Sequence, residues 1–142
     1  MYALVPLPAE AGGARELLAM SSEGGDWKLP GAALYPGERI FAAARRIARE
    51  TTGLAVLPER LVYFLEDERG PAWVVLCDAD FDAEPGEAAS QVQFVDPGAL
   101  PGILEPHALR ELLIEDLAAG FMRPVAHVIV DTRQSPAVTV NW

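Results

Sequence analysis

Cysteine, basic residues and long hydrophobic runs are all scarce in this chain of 142 residues. The single cysteine, Cys77, excludes an internal disulfide framework and a zinc site built from cysteines. Its isolation favours a cytoplasmic location. No window approaches the roughly 18 consecutive apolar residues that a membrane helix needs. No basic region precedes an apolar one at the start, so we expect neither a membrane span nor a signal peptide.

Positive charge is in the minority, because 11 Lys and Arg stand against 21 Asp and Glu, which gives a net charge of −10. Nucleic-acid backbones reward clustered basic side chains, so this balance argues against a duplex DNA or RNA partner. Apolar residues make up 51% of the chain and charged residues 23%, a composition typical of a folded domain with its own core. We therefore expect a single domain over residues 1–142.

The hydrophobic pattern predicts strands and helices in a mixed order. Strand-like runs lie at 2–8, 15–21, 60–65, 72–77, 91–95, 125–130 and 137–140. The first two are expected to flank a turn, and the next two a hairpin with its turn at 66–71. Helical spacing runs from about 38 to 52 and from 106 to 119, with Gly53 and Gly120 as stops. This order favours an α/β or α+β sandwich with helices packed on a mixed sheet.

The tail, 124–142, is predicted to form an additional hairpin. Such a hairpin covers an edge of the sheet or pairs with a second copy of the chain. Both alternatives stay open, and the second would make the protein a homodimer.

One segment, 27–54, carries a chemical motif and reads WKLPGAALYPGERIFAAARRIARETTGL. It resembles the box of the Nudix family, roughly G-x5-E-x7-R-E-U-x-E-E-x-G-U with U apolar, usually preceded by W-x-L-P-G. The spacing from Glu38 through Arg46 to Gly53 is kept without insertion. The matching residues are Trp27, Leu29, Pro30, Gly31, Gly37, Glu38, Arg46, Ala48, Glu50, Gly53 and Leu54. The resemblance implies a Nudix-like α/β/α sandwich. It also implies hydrolysis of a nucleoside diphosphate linked to another group, with Mg²⁺ or Mn²⁺ as cofactor.

Four positions depart from this pattern. Ala32 stands where the box begins with Gly, and Tyr35 stands where an acidic residue is common. The other two departures fall on the carboxylates of the helix. Ile47 stands where Glu follows Arg, and Thr51 stands where the last Glu is expected. Positions 47, 50 and 51 are three and four residues apart and share one helix stripe, on which only Glu50 is acidic. Mg²⁺ is typically held by one or two carboxylates together with substrate phosphates and water. We therefore expect metal-dependent hydrolysis to be weak or absent, and binding of a nucleotide or another phosphorylated small molecule to be retained.

Four side chains are the candidate site residues. Glu50 is the candidate metal ligand and catalytic carboxylate, with Glu38 as a second catalytic candidate. Arg46 is a candidate for binding phosphate, and Tyr35 for stacking on a base. Structural alternatives compete: Glu50 as the i,i+4 partner of Arg46, and Glu38 as a carboxylate that favours the helix dipole. Arg46 also belongs to a basic helix face that solvation alone explains, the other members being Arg39, Arg45 and Arg49.

Two other functions stay open. An active hydrolase would build its metal site from Glu50, Glu38 and acids of the 66–87 loops, which are Glu66, Asp67, Glu68, Asp78, Asp80, Asp82, Glu84 and Glu87. A non-catalytic interaction or dimerisation module would use the tail as its partner surface. His107 and His127 are assigned no role, and Cys77 is expected to be an inert small hydrophobe.

Overall fold

A computed structural model describes residues 1–7, 16–21, 25–99, 107–131, 133–134 and 136–142 of the chain. In chain order its strands and α-helices are β1 (Tyr2–Leu4), β2 (Leu17–Ser21), α1 (Ile40–Thr52), β3 (Val56–Asp67), β4 (Gly70–Ala79), β5 (Gln91–Val95), α2 (His107–Ala118), β6 (Ala126–Val130) and β7 (Val138–Asn141). A short 3-10 turn, Pro97–Ala99, follows β5. No helix among these residues is long and apolar enough to cross a membrane.

The larger sheet has five strands in the order β1-β4-β3-β6-β7. Strand β1 runs parallel to β4, and β3 runs parallel to β6, whereas the β3–β4 and β6–β7 pairs are antiparallel. Strands β2 and β5 form a separate antiparallel pair. This mixed sheet with its helices confirms the predicted α+β class.

Two buried apolar clusters lie on the two faces of the larger sheet. Side chains alternate between the faces along a strand, and accordingly Val74 and Val75 of β4 belong to different clusters. One cluster includes Leu113 of α2, and the other includes Ala44 and Ala48 of α1. Each helix therefore covers one face of the sheet, which gives the three layers expected from the sequence.

Helix α1 begins two residues later than predicted and ends where it was predicted to end. Arg39, at its N-terminal boundary, is extended, with φ −76° and ψ 146°. Glu38 lies outside the helix, and its carboxylate binds groups on both sides of this boundary, the Tyr35 N–H and the Arg46 side chain. At the other end Gly53 has a φ of 74°, which glycine adopts without strain, and its N–H donates to Arg49 O at 3.0 Å.

The predicted hairpin forms, but the prediction of a turn over 66–71 is wrong. Strands β3 and β4 continue through most of this segment, and Asp67 pairs with Gly70, so the turn narrows to 68–69. The Asp67 carboxylate accepts hydrogen bonds from the backbone and side chain of Arg69, which stabilises this tighter connection.

The first two predicted strands lie next to each other but belong to different ladders. Leu18 N donates to Val5 O at 2.9 Å, and Leu7 N donates to Glu16 O at 2.8 Å, so the two segments do meet. Their ladders nevertheless belong to other partners, β4 for β1 and β5 for β2. The first strand ends at Leu4, short of the predicted end at 8; residues 8–15, like 106, lie outside the described residues.

The tail hairpin consists of β6 and β7 and belongs to the main sheet, because β6 pairs in parallel with β3. It therefore extends an edge of the sheet, which is the first of the two predicted alternatives.

Candidate functional site

Arg46, on α1, brings the four candidate side chains together. Its Nε and Nη2 donate to Oε2 and Oε1 of Glu38 at 2.8 and 2.9 Å, and its Nη1 donates to Oε2 of Glu50 at 3.1 Å. Nη2 also donates to Ala33 O at 2.8 Å. The guanidinium lies over the ring of Tyr35, 3.7 Å from the ring centroid. The pairing with Glu50 is the i,i+4 contact that the helical spacing predicts.

Most of the hydrogen-bond donors of Arg46 are already used by these contacts within the protein. The side chains of Arg46 and Glu38 are only 17% and 15% exposed. The hydrogen bond from Arg46 lowers the pKa of Glu38 against the opposing effect of desolvation, and the Glu38 carboxylate in turn raises the pKa of Arg46. A guanidinium has five N–H donors, and four hydrogen bonds to protein already use most of them. Arg46 therefore connects α1 to the segment 33–38 through hydrogen bonds.

The carboxylate stripe of α1 is reduced to one acid. Ile47 is completely buried, so a charged side chain at this position would enter the core. The hydroxyl of Thr51 donates to Ile47 O at 2.6 Å, within the helix. The side chain of Glu50 is 57% exposed and has one oxygen bound by Arg46.

The donor set does not fit a magnesium ion held by this stripe. Hard cations take several oxygen ligands, and the stripe offers one carboxylate that is already shared with a guanidinium. Among the described residues, no three His, Cys, Asp or Glu side chains come together as a metal site would require. Two acids of the 66–87 loops have other neighbours, since Glu66 lies 3.5 Å from His127 Nε2 and Asp67 pairs with Arg69.

A cavity of about 260 Å³ opens between β1, β2 and the segment that leads to α1. Its lining residues are Met1, Tyr2, Met20, Lys28, Leu29, Gly31 and Ala32. The segment 28–32 is fixed from both sides by backbone hydrogen bonds. Ala3 N donates to Pro30 O at 2.9 Å, and Lys28 exchanges bonds of 2.8 and 3.0 Å with Met20.

The segment that lines the cavity and the segment that Arg46 contacts are consecutive in the chain. Residues 28–32 line the cavity, and residues 33–38 follow them directly and are held by Arg46 through Ala33 and Glu38. The cavity offers thioethers, an aromatic ring and the side-chain ammonium group of Lys28, a combination suited to a planar ring with an anionic substituent. The sequence prediction missed it, although Lys28 is the only lysine in an acidic chain. Trp27 is half-buried and packs against the apolar cluster that includes Leu113.

A cluster of polar side chains that the sequence did not predict lies beneath α2 and consists of Tyr63, Asp116 and Arg123. The Tyr63 hydroxyl donates to Oδ2 of Asp116 at 2.5 Å, and Arg123 Nε lies 3.0 Å from Oδ1 of the same carboxylate. Burial raises the pKa of Tyr63, and the hydrogen bond to Asp116 adds to this effect. The group has almost no free space around it, so its role is to join α2 to β3.

Cys77 was expected to be inert and His127 was assigned no role; both make packing contacts in the structure. Cys77 is buried, and this burial raises the pKa of its thiol to about 12. The ring of His127 is stacked on Phe64, with 5.3 Å between the ring centroids.

A mixed sheet with one helix on each face, and a W-x-L-P-G segment leading into the motif helix, define the class of Nudix-type domains. The chain is similar to the solved structure of an ADP-ribose pyrophosphatase from Streptococcus suis, with a TM-score of 0.65 and 18% identity over 90% of this chain and 95% of that chain. A Nudix hydrolase from Nitrosomonas europaea gives a TM-score of 0.63 and 15% identity, over 91% of this chain and 78% of that one.

In sequence, the chain is 30% identical to the human 8-oxo-dGDP phosphatase NUDT18 over 79% of its own length. It spans 36% of the length of that relative. No family model matches the chain. The sequence relative and the fold shared with the solved structures together support membership of the Nudix family.

Proposed function

We propose that this Nudix domain binds a nucleoside diphosphate derivative or another phosphorylated small molecule, and that its metal-dependent hydrolysis of diphosphates is weak or absent. The observation that carries the proposal is the state of the α1 stripe. Two of its three positions are taken by the buried Ile47 and by Thr51, whose hydroxyl bonds within the helix. We also propose a cytoplasmic location; a homodimer stays a prediction.

The cavity supports binding of one part of a nucleotide. Its volume of about 260 Å³ lies just below the range of about 300–1,000 Å³ that holds drug-sized ligands. A base would contact the ring of Tyr2 and the thioethers of Met1 and Met20. The ammonium group of Lys28 would then pair with a phosphate.

The relatives suggest which ligands to try first. The names of two of them contain 8-oxo-dGDP and ADP-ribose, and both compounds carry a diphosphate on a nucleoside. We therefore take ADP and ADP-ribose as the first probes for this chain. Because the chain spans only 36% of the human relative, the activity of that whole protein is a hypothesis for this one.

An active hydrolase is the second candidate, favoured by one observation. Glu50 is 57% exposed and has one carboxylate oxygen outside its pairing with Arg46. That oxygen is the acceptor that a substrate-bound cation would use if loop acids completed the site.

Calorimetric titration with ADP and ADP-ribose, in EDTA and then in Mg²⁺ or Mn²⁺, tests the proposal. We expect binding in EDTA to lie within about threefold of that with metal, and we expect no AMP to form above the protein-free blank. Binding that survives Glu50→Gln supports the binding module. Turnover in Mn²⁺ that Glu50→Gln abolishes would establish the hydrolase instead. No heat with either probe under any condition would overturn both.

A further inference from the structure

Loop 80–90, which connects β4 to β5, is fastened to the C-terminal end of α1. Arg49 Nη1 donates to the backbone oxygens of Glu84 and Gly53 at 2.9 and 3.3 Å. Gly86 N donates to the same Gly53 oxygen at 2.6 Å. One guanidinium therefore bridges the helix end and the loop, and a backbone hydrogen bond reinforces it.

The close approach of loop and helix depends on Gly53, which has no room for a side chain. A Cβ at Gly53 would collide with the backbone oxygen of Gly86. A Cβ at Gly86 would lie 2.9 Å from Cζ of Arg49, so the guanidinium would have to shift from its present position. The sequence thus provides both the bridging cation and the space that lets the loop reach it.

The loop leads directly to the wall of the cavity. It begins where Asp80 N donates to Ala55 O at 2.9 Å, and it ends at Gln91, which pairs with Ser21 of β2. The next pair along this ladder joins Val92 to Met20, and Met20 lines the cavity.

The loop also carries a concentration of negative charge. Its acidic residues are Asp80, Asp82, Glu84 and Glu87. Fastening takes place at the C-terminal end of α1, and a helix of 13 residues is about 20 Å long. The loop is thereby held at the C-terminal end of α1. The segment 33–38, which continues from the cavity lining, lies at the N-terminal end of the same helix.

We propose that Arg49 is a positioning residue that holds the acidic loop 80–90 away from the phosphates of the bound ligand. This inference rests on the proposed function, because it needs a phosphorylated ligand. Position 49 is an unspecified x position of the Nudix box, so the family pattern assigns it no role. A released loop would bring up to four carboxylates near a diphosphate, and that repulsion is screened by salt.

The test compares Arg49→Ala and Arg49→Lys with Arg45→Ala, a matched control. Arg45 is an exposed arginine of the same helix that forms no hydrogen bond with loop 80–90 in the described part of the chain. The measurements are amide hydrogen exchange at Gly86, and calorimetric binding of ADP and of adenosine at low and high salt. Arg49→Lys keeps the charge and one point of attachment, so it should give partial rescue.

In Arg49→Ala we expect exchange at Gly86 to become at least about tenfold faster, as in local opening. ADP affinity should fall about tenfold at low salt and by less at high salt, whereas adenosine affinity should hold. Unchanged exchange, equal loss for ADP and adenosine, or equal effects of Arg45→Ala would overturn the proposal. If the wild-type protein binds neither ligand, the proposed function has failed and the role of the loop in binding fails with it, while the exchange data still report whether Arg49 fastens the loop.

Discussion

Both carboxylate oxygens of Glu38 accept hydrogen bonds from Arg46, at 2.8 and 2.9 Å. Two-point pairing of a guanidinium with a carboxylate is among the stronger hydrogen-bonded contacts in proteins. Glu38 also accepts the backbone N–H of Tyr35 at 3.1 Å, so one carboxylate fixes the chain just before α1. Two residues that match the Nudix box therefore perform a structural task that requires no metal ion.

This pairing predicts a pH-dependent loss of stability in Glu38→Gln. Because Arg46 lowers the pKa of Glu38 below its ordinary value of 4.5, the folded carboxylate stays ionised to lower pH than the unfolded one. Its contribution is complete above the ordinary value and is lost as the pH falls through the lowered pKa. Thermal melting by circular dichroism should show a constant gap in Tm between wild type and variant at about pH 6–7, and a shrinking gap below about pH 4.5.

Glu59→Gln is the matched control, since Glu59 is an exposed carboxylate on β3. We expect its Tm to follow the wild type across the same range. A gap for Glu38→Gln that persists unchanged to about pH 3 would mean that the charge of Glu38 is not what stabilises this turn.

Restoring the missing carboxylate at position 47 is predicted to damage the fold. Ile47 is completely buried, and a charge without a partner in the core is one of the most destabilising changes known. We expect Ile47→Glu to lower the free energy of unfolding by about 3 kcal/mol or more, measured by urea denaturation. Thr51→Glu is the comparison, because Thr51 is only half-buried and its bond to the helix backbone contributes little; its cost should be about 1 kcal/mol or less.

A stable Ile47→Glu variant that also gained phosphohydrolase activity in Mg²⁺ would contradict this picture. It would mean that the stripe accommodates its carboxylates and that the rest of a hydrolytic site is intact.

Much of the secondary structure follows from local signals. The alternation in Gln91–Val95 and the glycine after Thr52 predicted the bounds of β5 and the end of α1 correctly. The pairing of β1 with β4 and of β3 with β6 joins segments far apart in the chain, and local periodicity carries no signal for it. The segment 66–71 was predicted as a turn because its charged residues, glycine and proline are typical of turns, although Asp67 and Gly70 pair within the sheet.

The candidate site, like the fold, was predicted only in part from the sequence. The i,i+4 spacing predicts the pairing of Arg46 with Glu50, and the structure shows it. The pairing of Arg46 with Glu38 was not predicted, because Glu38 lies eight residues before Arg46 and outside the helix. The cavity escaped prediction because its lining comes from separate segments, with Tyr2 from β1 and Lys28 from the loop after β2.

The buried pair beneath α2 predicts a stability cost for Tyr63→Phe. Removing the hydroxyl takes one of the two partners from the buried Asp116 carboxylate, and Arg123 alone remains. Losing a partner of a buried polar group costs about 1–3 kcal/mol, which urea denaturation at neutral pH will measure. Tyr35→Phe, which removes an exposed hydroxyl, should cost almost nothing.

The same variant has a signature at high pH. Burial raises the pKa of Tyr63 above its ordinary value of 10.0, so the unfolded chain loses its phenolic proton first. The stability of the wild type should therefore fall relative to Tyr63→Phe as the pH rises above about 10. If the two proteins lose stability in parallel between about pH 9 and 11, the hydroxyl is not protected as the structure indicates.

Lys28 provides a direct test of the cavity, because it is the only lysine in the chain. If its ammonium group pairs with a ligand phosphate, Lys28→Gln should lower ADP affinity about tenfold and leave adenosine affinity unchanged, as measured by calorimetry. Arg39→Gln removes the same charge from an exposed position at the start of α1 and should leave both affinities as they are. An amine-selective acylating reagent gives an independent measurement, since ADP should slow the modification of Lys28 whereas adenosine should protect it less. Equal losses for ADP and adenosine would mean that the phosphates do not contact Lys28. Modification that ADP does not slow would mean the same. In either case the selectivity of the cavity for a phosphorylated ligand would lose its basis, because it depends on the Lys28 cation.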